Sequence, residues 1–290
     1  MSGQTVALLG AGVMAREIAP HLRRSFRLRW FNRTAARIPA APGDAVCDSA
    51  REAAAGADVV LSLVGDDEAA AAVWDSELGA LAGLRSGALA LECSTVSAAR
   101  IDAWAEACAR AGVMAVDCPL TGGRERARES TLIGLAGGEG ESLAAAGPVL
   151  SCFTERVIAF GPAGAGTRYK LVHNLAAGIA LAGVAEALSL ARTQGLDETL
   201  VLSVLGEYGW AAQAASYVGE FTVGGRDFGD VGCSAANLAK DLAYATAGTR
   251  PGAGSAAHRL LAAVDDGARS DMAAAVRSPL LDPPFDRRTT

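Results

Sequence analysis

A glycine-rich turn near the start of the chain constrains the fold more than any other feature. Residues 5–9 (TVALL) form an apolar run typical of a buried strand, and they lead directly into residues 10–15 (GAGVMA), which open a helical pattern. Gly10 permits a tight turn, Gly12 lets the backbone approach a pyrophosphate, and Ala15 keeps helix and strand close. The N–H groups at the start of the helix suit phosphate oxygens. The turn therefore predicts a dinucleotide site contacted at Gly10, Ala11, Gly12, Val13 and Met14.

Strand-like and helical patterns alternate through the first half of the chain. Further strand-like runs follow the first one, with Ala-rich helical patterns between them, at 27–31, 58–64, 88–92 and 113–117. This alternation predicts a doubly wound parallel sheet with helices on both faces. Two shorter strands are expected at 131–136 and 157–160.

The pattern changes after Gly161. Residues 167–194 form one long helical pattern that is apolar around most of its circumference, and Gly195 is its expected C-cap. Only helical patterns follow, at 197–206, 210–219, 232–248 and 254–277, before a polar tail over 283–290 that is expected to fray. We therefore predict an α/β fold with a Rossmann-like domain over 1–162 and an all-helical domain over 163–290, connected by a long interdomain helix.

Composition argues against several other classes of protein. The chain has 290 residues, 51% of them hydrophobic, and a formal charge of −6, which speaks against disorder and against a basic nucleic-acid surface. Its six cysteines form no CxxC pair and have no neighbouring histidine, which predicts thiols in a reducing cytoplasm and no metal site. The N-terminus shows no basic leader, and the uncharged stretch 175–185 is too short to cross a membrane. We expect a cytoplasmic protein that binds neither membranes nor nucleic acid.

The end of the second strand-like run indicates which dinucleotide is bound. An NAD site of this kind places an acidic side chain about 20 residues after the glycines, where it holds the ribose 2′-hydroxyl. Here the segment is Asn32-Arg33-Thr34, with Arg37 one turn later, and it contains no carboxylate. A guanidinium suits a 2′-phosphate through charge-assisted hydrogen bonds. We expect NADP(H) rather than NAD, the alternative being that Arg33 is a solvated loop cation.

Several segments, in order along the chain, resemble motifs of the β-hydroxyacid dehydrogenase family. That family includes 3-hydroxyisobutyrate dehydrogenase, semialdehyde reductases and, more distantly, 6-phosphogluconate dehydrogenase. The similar segments are 10–15 (family GxGxMG), 32–34 (NRT), 92–95 (ECST for D-x-S-T), 117–123 (DCPLTGG for D-A-P-V-S-G-G), 170–174 (KLVHN for K-x-x-N-N) and 240–242 (KDL). The chain departs from the family at Ala15 and Thr121, where Gly and Ser are usual, and in the charged segment 124–130 (RERARES).

The resemblance implies an enzyme that transfers a hydride between NADP(H) and a small β-hydroxy acid or its semialdehyde. It implies further cofactor contacts at Val64, Gly65, Asp66, Thr95 and Lys240. It also implies a homodimer or homotetramer assembled through the helical domain.

Lys170 is the residue expected to move the proton in this reaction. Hydride transfer to a carbonyl needs a group that gives a proton to the oxygen as the hydride arrives. Lys170 is the only lysine among the first 239 residues of a chain that otherwise uses arginine, and arginine effectively never releases its proton. A place early in a long helix, in an enclosed pocket, disfavours the ammonium form. The alternative is a lysine that reaches solvent from an apolar helix face.

Substrate contacts are expected on the same helix and at a second pair of glycines. His173 and Asn174 follow Lys170 at i+3 and i+4, on one helix face. Asn174 is expected to act in catalysis by holding the substrate, whereas His173 is explained equally well as a packed core histidine. Hydroxyls and backbone amides beside Gly-Gly form a small anion cradle, although a plain turn uses the same glycines. The substrate contacts expected are Ser94, Thr121, Gly122, Gly123, His173 and Lys240, with a solvated Lys240–Asp241 pair as the alternative for the last.

Two other functions remain open from the sequence. Imine reductases share this architecture and the NRT segment, but they usually carry another residue at the position of Lys170. A dinucleotide-binding module without catalysis would need neither Lys170, Asn174, Lys240 nor the Thr-Gly-Gly segment at 121–123. These residues together favour the dehydrogenase.

Overall fold

The computed structural model describes residues 3–227, residues 234–247 and Met272. The chain divides into two compact units, Met1–Lys170 and Leu171–Thr290. The boundary drawn from the sequence, between residues 162 and 163, stays a prediction. The expected helix at 254–277, apart from Met272, and the expected frayed tail at 283–290 lie outside the described residues.

The first unit is built on a six-stranded parallel sheet. Its strands are β1 (Thr5–Leu9), β2 (Arg27–Phe31), β3 (Ala45–Val46), β4 (Val59–Ser62), β5 (Leu89–Glu92) and β6 (Met114–Asp117), in the order β3-β2-β1-β4-β5-β6. The strand order reverses between β1 and β4, so the loops after these two strands are neighbours at the carboxyl edge. Such a point is where open α/β sheets bind ligands. The predicted doubly wound fold is therefore confirmed.

Successive side chains along each strand point to opposite faces of this sheet, and apolar side chains on both faces are covered by helices. In β1, Val6 and Leu8 face one hydrophobic cluster, while Ala7 and Leu9 face the other. The helices of this unit are α1 (Val13–Leu22), α2 (Ala50–Ala54), α3 (Asp67–Trp74), α4 (Ala98–Ala111), α5 (Gly123–Arg128) and α6 (Gly140–Leu150). Ile18 of α1 and Val149 of α6 belong to the first cluster, and Trp74 of α3 and Trp104 of α4 belong to the second.

A smaller three-stranded sheet completes this unit. It consists of β7 (Leu120–Thr121), β8 (Leu132–Ala136) and β9 (Thr154–Ala159), in that order, with β7 antiparallel to β8 and β8 parallel to β9. The sequence predicts β8 and β9 but neither β7 nor β3. Both missed strands have two residues, which is too short for a period-two pattern to be recognised.

Helix α7 (Ala165–Thr193) begins in the first unit and continues into the second. In the second unit, α8 (Glu198–Tyr208), α9 (Ala212–Thr222) and α10 (Ala235–Thr246) follow it. Leu181, Val184 and Leu188 of α7 form one buried cluster with residues of α8, α9 and α10. A Cβ on Gly178 would lie 2.8 Å from a methyl carbon of Leu242, so a glycine allows α7 and α10 to approach closely.

Helix α7 has 29 residues and, judged by length and composition alone, is apolar enough to cross a membrane. The sequence predicts no such stretch, because its uncharged stretch 175–185 has too few residues to cross a membrane. Leu181, Val184 and Leu188 of α7 are buried in the core of the second unit, as the residues of a core helix are. We therefore interpret α7 as a helix of the protein core.

Five of the cysteines lie in the described part of the chain, and all five are free thiols. Burial raises the pKa of Cys108 and of Cys118 to about 12. Thiols with such high pKa values are poor nucleophiles at neutral pH.

Candidate active site

Gly10 joins the loop after β1 to the loop after β4. Its φ is +102°, a conformation that L side chains rarely adopt. A Cβ at this position would lie 2.2 Å from the carbonyl oxygen of Leu63. The backbone N–H of Gly10 also donates to the carbonyl of Phe31, at 2.9 Å, where β2 ends. Gly10 therefore brings together the ends of the three strands that surround the predicted cofactor site.

Gly12 is the N-cap of α1, and its surroundings are open where those of Gly10 are crowded. Its φ is −72°, and, apart from its neighbours along the chain, none of the described residues would have an atom within 4 Å of a Cβ at this position. The first turn of α1 contains no acidic residue, and no side chain in the described part of the chain caps it. The positive end of α1 therefore faces open space bordered by a residue without a side chain, which fits a pyrophosphate. These residues fit the dinucleotide that the sequence predicts.

Asn32 holds the turn in place. Its Oδ1 accepts from the backbone N–H of Ala11 at 3.1 Å, and its Nδ2 donates to the carbonyl of Thr34 at 2.8 Å. Arg33 and Thr34 are exposed at the end of β2. The Asn32 side chain thus ties the glycine turn to the loop that carries the predicted 2′-phosphate residue.

Arg16 connects the same two loops, and the sequence analysis did not single it out. Its Nε donates to the carbonyl of Ala11 at 3.1 Å, and one of its terminal nitrogens donates to the carbonyl of Arg37 at 2.6 Å. The one sequence signal for it is a cation directly after Ala15, in the first helical turn. Its guanidinium therefore lies beside the loop 32–37, for which the sequence predicts the contact with the 2′-phosphate.

The loop after β4 is held by a buried chain of hydrogen bonds. The N–H of Val64 donates to Ser94 Oγ at 2.9 Å, and the N–H of Ser94 donates to Glu92 Oε1 at 2.7 Å. Trp74 Nε1 donates to the other Glu92 oxygen at 2.7 Å. Burial raises the pKa of Glu92. Ser94 is 2% exposed, and its hydroxyl oxygen holds the backbone of Val64. The substrate contact predicted for Ser94 stays a prediction.

The predicted cofactor residues Val64, Gly65, Asp66 and Thr95 lie in two neighbouring segments that hydrogen bonds hold in place. Asp66 is the N-cap of α3, and its Oδ1 accepts from the N–H of Ala69 at 2.8 Å. The N–H of Ser97 donates to Asp67 Oδ1 at 2.8 Å, which fixes the segment containing Thr95 beside the loop of Val64, Gly65 and Asp66. Gly65 is exposed, and a Cβ there would contact none of the described residues within 4 Å apart from its neighbours along the chain.

Thr121, Gly122 and Gly123 form the turn from β7 into α5. Gly122 has φ +128° and Gly123 has φ +74°, so both positions favour glycine. A Cβ on Gly122 would also lie 2.8 Å from Arg126 Cδ. The backbone thus turns sharply where the sequence predicts the substrate carboxylate, and that role stays a prediction.

The charged segment 124–130 is explained by its contacts with α1. Arg124 Nε lies 2.6 Å from Glu17 Oε1, and a terminal nitrogen of Arg128 lies 3.3 Å from the same oxygen. The hydrogen bond from Arg128 contributes most to holding the pKa of Glu17 below its usual value. The ring of His21 contacts the carbonyl of Arg128 at 3.0 Å and Ser130 Oγ at 2.8 Å. These charges fasten α5 to α1.

Lys170 lies in the second turn of α7 and is only 9% exposed. A lysine is rarely buried to this degree, which argues against the solvent-reaching alternative. The first turn of α7 is held by Asp117, whose carboxylate accepts from the N–H groups of Gly164 and Thr167, both at 2.6 Å. The matched motifs contain Asp117 and Glu92, but sequence reasoning gives neither residue a role.

The second unit places Asn174 and Lys240 on one shared partner, Asp241. Asn174 Nδ2 donates to Asp241 Oδ2 at 2.6 Å, and Lys240 Nζ lies 2.9 Å from Asp241 Oδ1. Asp241 is 4% exposed, whereas the Lys240 side chain is 21% exposed, and the predicted roles of Lys240 stay predictions. His173 is half-buried beside Asn174. Asp241 is not among the site residues predicted from the sequence.

Two family models match almost the whole chain. One, described as the NAD binding domain of 6-phosphogluconate dehydrogenase, matches residues 5–161. The other, described as the NAD-binding of NADP-dependent 3-hydroxyisobutyrate dehydrogenase, matches residues 164–278.

Individual proteins and a solved structure with related names are also similar to this chain. The NAD-dependent L-serine dehydrogenase of Pseudomonas aeruginosa is 31% identical over 206 residues, which are 69% of this chain and 68% of that protein. The 3-hydroxyisobutyrate dehydrogenase of the same organism is 32% identical over 203 residues, with shares of 69% and 68%. The structure of Mycobacterium tuberculosis 3-hydroxyisobutyrate dehydrogenase with L-serine matches at a TM-score of 0.83 and 29% identity, covering 95% of this chain and 98% of that one. The family resemblance seen in the sequence is thereby confirmed: the chain belongs to the β-hydroxyacid dehydrogenase family, whose members are NAD(P)-dependent oxidoreductases acting on CH–OH groups.

Proposed function

We propose that this protein transfers a hydride between NADP(H) and a small β-hydroxy acid or its semialdehyde, with Lys170 as the general acid and base. The observation that carries the proposal is the burial of Lys170 in the second turn of α7. When bound, the dinucleotide supplies or accepts the hydride at its nicotinamide ring. In the reduction, Lys170 Nζ gives a proton to the carbonyl oxygen, and in the oxidation it takes that proton back.

The other residues of the first unit bind and orient the reactants. Gly10, Gly12 and the start of α1 would hold the pyrophosphate, and the loop at Val64 would border the nicotinamide. Backbone amides at Gly122 and Gly123, with the Thr121 hydroxyl, would bind the substrate carboxylate. Two relatives, named for L-serine and 3-hydroxyisobutyrate, act on molecules that combine a carboxylate with a β-hydroxyl group.

Replacing Lys170 tests the proton transfer. We expect Lys170→Ala to lower kcat about 10²–10⁴-fold, the range for loss of a general acid or base, with the KM for NADPH little changed. Lys170→Arg keeps the positive charge but cannot release a proton, so it should be as inactive as Lys170→Ala. Loss of NADPH binding with kcat intact would refute the assignment, and so would restored turnover in Lys170→Arg.

The preference for NADP(H) rests on the exposed guanidinium of Arg33 and on the absence of a carboxylate in the described loop 32–37. Relatives differ on this point, because the similar L-serine dehydrogenase is NAD-dependent while the model over residues 164–278 describes an NADP-dependent enzyme. We expect Arg33→Ala to raise the KM for NADPH at least about tenfold more than the KM for NADH, the scale of one charge-assisted phosphate contact. Arg110→Ala, which removes an exposed cation on α4, should change neither constant. Equal changes in the KM values for NADPH and NADH in Arg33→Ala would show that Arg33 does not contact the 2′-phosphate.

A substrate panel separates this function from the alternatives. 3-Hydroxyisobutyrate, L-serine, succinic semialdehyde, tartronate semialdehyde and a cyclic imine would each be assayed with both cofactors. Turnover of a carboxylate-bearing alcohol or aldehyde supports the proposal. Turnover of the imine alone would indicate an imine reductase, and dinucleotide binding with no turnover would indicate a module without catalysis.

A further inference from the structure

Asp117 is a buried carboxylate that the mechanism above does not use. It ends β6 and is 0% exposed. Its Oδ1 accepts from the N–H of Gly164 and its Oδ2 from the N–H of Thr167, each at 2.6 Å. These two amides belong to the start of α7, so one side chain satisfies two N–H groups that a helix leaves unpaired at its N-terminus.

Two glycines allow the start of α7 to come this close. A Cβ on Gly137 would lie 2.2 Å from Asp117 Oδ1, and a Cβ on Gly166 would lie 2.1 Å from the carbonyl oxygen of Leu135. The backbones of Asp117 and Gly137 also exchange hydrogen bonds of 3.0 and 2.7 Å. The first turn of α7 is therefore fixed against β6 and β8 in one position.

The contacts favour the ionised form of Asp117. Each carboxylate oxygen accepts a hydrogen bond from a backbone N–H. A protonated carboxyl group would point its own O–H at one of these donors, where it finds no acceptor. Burial raises the pKa of Asp117, while the hydrogen bonds from Gly164 and Thr167 act in the opposite direction. The Asp117 carboxylate lies at the positive end of α7, one helical turn before Lys170, and its ionised form would place a negative charge there.

We propose that Asp117 is a positioning residue for Lys170. It fixes the turn from which the Lys170 side chain projects, and its negative charge favours the ammonium form of that side chain. This inference rests on the proposed function, because it assumes that Lys170 carries the proton. Asp117 itself touches neither substrate nor cofactor in this assignment.

The test is Asp117→Asn in the full chain, with kcat measured against pH. Asparagine has nearly the same shape, but it is neutral and turns an NH₂ group toward one of the two amide donors. We expect kcat to fall about tenfold to hundredfold, as for a small misplacement of a catalytic group, with the KM for NADPH within about twofold of wild type. We also expect the pH at half-maximal kcat to move down by about 0.5 to 1 unit, because removing a nearby negative charge disfavours ammonium.

Asp197→Asn is the matched control. Asp197 also caps a helix, since its Oδ1 accepts from the N–H of Leu200 at 2.8 Å, but it lies at the start of α8. This variant should leave the pH profile of kcat unchanged. An unchanged pH midpoint in folded Asp117→Asn would overturn the proposal, whatever the change in kcat, because a simple helix cap gives that result.

A second variant and a parallel measurement keep the test decisive. Asp117→Ser retains a hydroxyl acceptor suited to a helix cap and is used with the same readouts if Asp117→Asn does not fold. A wild-type midpoint in this variant would equally overturn the proposal. Lys170→Ala is assayed beside them. If it retains turnover, the proposed function fails; if it is inactive and the Asp117 variants keep the wild-type midpoint, only the positioning role fails.

Discussion

Gly10 and Gly12 are both glycines, but for opposite reasons. At Gly10 a side chain would strike the Leu63 carbonyl, and its φ is unsuited to other residues. At Gly12 the backbone is ordinary, and a Cβ would lie more than 4 Å from every atom of the described residues other than its neighbours along the chain. One glycine therefore serves folding, whereas the other leaves room for a ligand.

This difference predicts distinct effects of one added methyl group. Gly12→Ala should keep the thermal unfolding midpoint of wild type and raise the Kd for NADPH about tenfold or more, since the methyl enters the pyrophosphate space. Gly10→Ala should lower the free energy of unfolding by roughly 2–4 kcal/mol, from backbone strain and steric overlap. Thermal unfolding and a fluorescence titration with NADPH measure both quantities. Equal losses of stability in the two variants would contradict this interpretation.

Single residues show how far the sequence alone reaches. The glycine turn is local, so its spacing alone is enough to predict which of its residues approach a dinucleotide, and those contacts stay predictions. Ser94 and Val64 are 30 positions apart, and Asp117 and Thr167 are 50 apart. No local pattern reveals which distant amides a buried oxygen will meet, and this is why Glu92, Asp117 and Asp241 received no role from the sequence.

At the scale of elements, strands and helices long enough to show a complete hydrophobic repeat were predictable. Helix α7 and strands β1 and β2 were found within a few residues of their observed bounds. The short strand β3 depends instead on a side chain, Asp44, that precedes it by one residue. Asp44 Oδ2 accepts from Arg23 at 2.6 Å and from Trp30 Nε1 and the N–H of Ala41, both at 3.0 Å.

These contacts predict a pH-dependent effect of Asp44→Asn. Burial alone would raise the pKa of Asp44, but the hydrogen bonds from Arg23, Ala41 and Trp30 outweigh it and hold that pKa below the ordinary value. The variant should lose about 2–3 kcal/mol of unfolding free energy at pH 7. The difference from wild type should persist down to about pH 5 and then shrink as the pH falls through the lowered pKa, because the wild-type carboxylate becomes protonated.

Urea unfolding at several pH values measures this difference. Glu106→Gln, which removes an exposed partner of Arg110 on α4, is the control and should change stability by less than about 0.5 kcal/mol at any pH. A difference for Asp44→Asn that grows as the pH falls below 4 would contradict the role given to Asp44.

At the scale of the whole molecule, the exposed apolar side chains of the second unit suggest assembly. Leu200, Val204 and Tyr208 recur at four-residue intervals along α8 and are 63%, 49% and 76% exposed. An apolar stripe of this kind is typical of an interaction surface. We expect a second copy of the chain to cover it, in a homodimer or homotetramer.

Val204→Glu should therefore shift the protein toward the monomer in analytical ultracentrifugation. A charge buried at such an interface is strongly unfavourable. Arg110→Glu on α4 of the first unit should leave the assembly state unchanged. A wild-type protein that sediments as a monomer at micromolar concentration would contradict this expectation.

The central claim is that one buried amine exchanges a proton with the substrate's hydroxyl group. The most direct test is a crystal structure of the full chain with NADP⁺ and 3-hydroxyisobutyrate bound. We expect Lys170 Nζ within about 3.2 Å of the hydroxyl oxygen, the reach of a general base. A Lys170 side chain directed into bulk solvent, with another group beside that oxygen, would contradict the account.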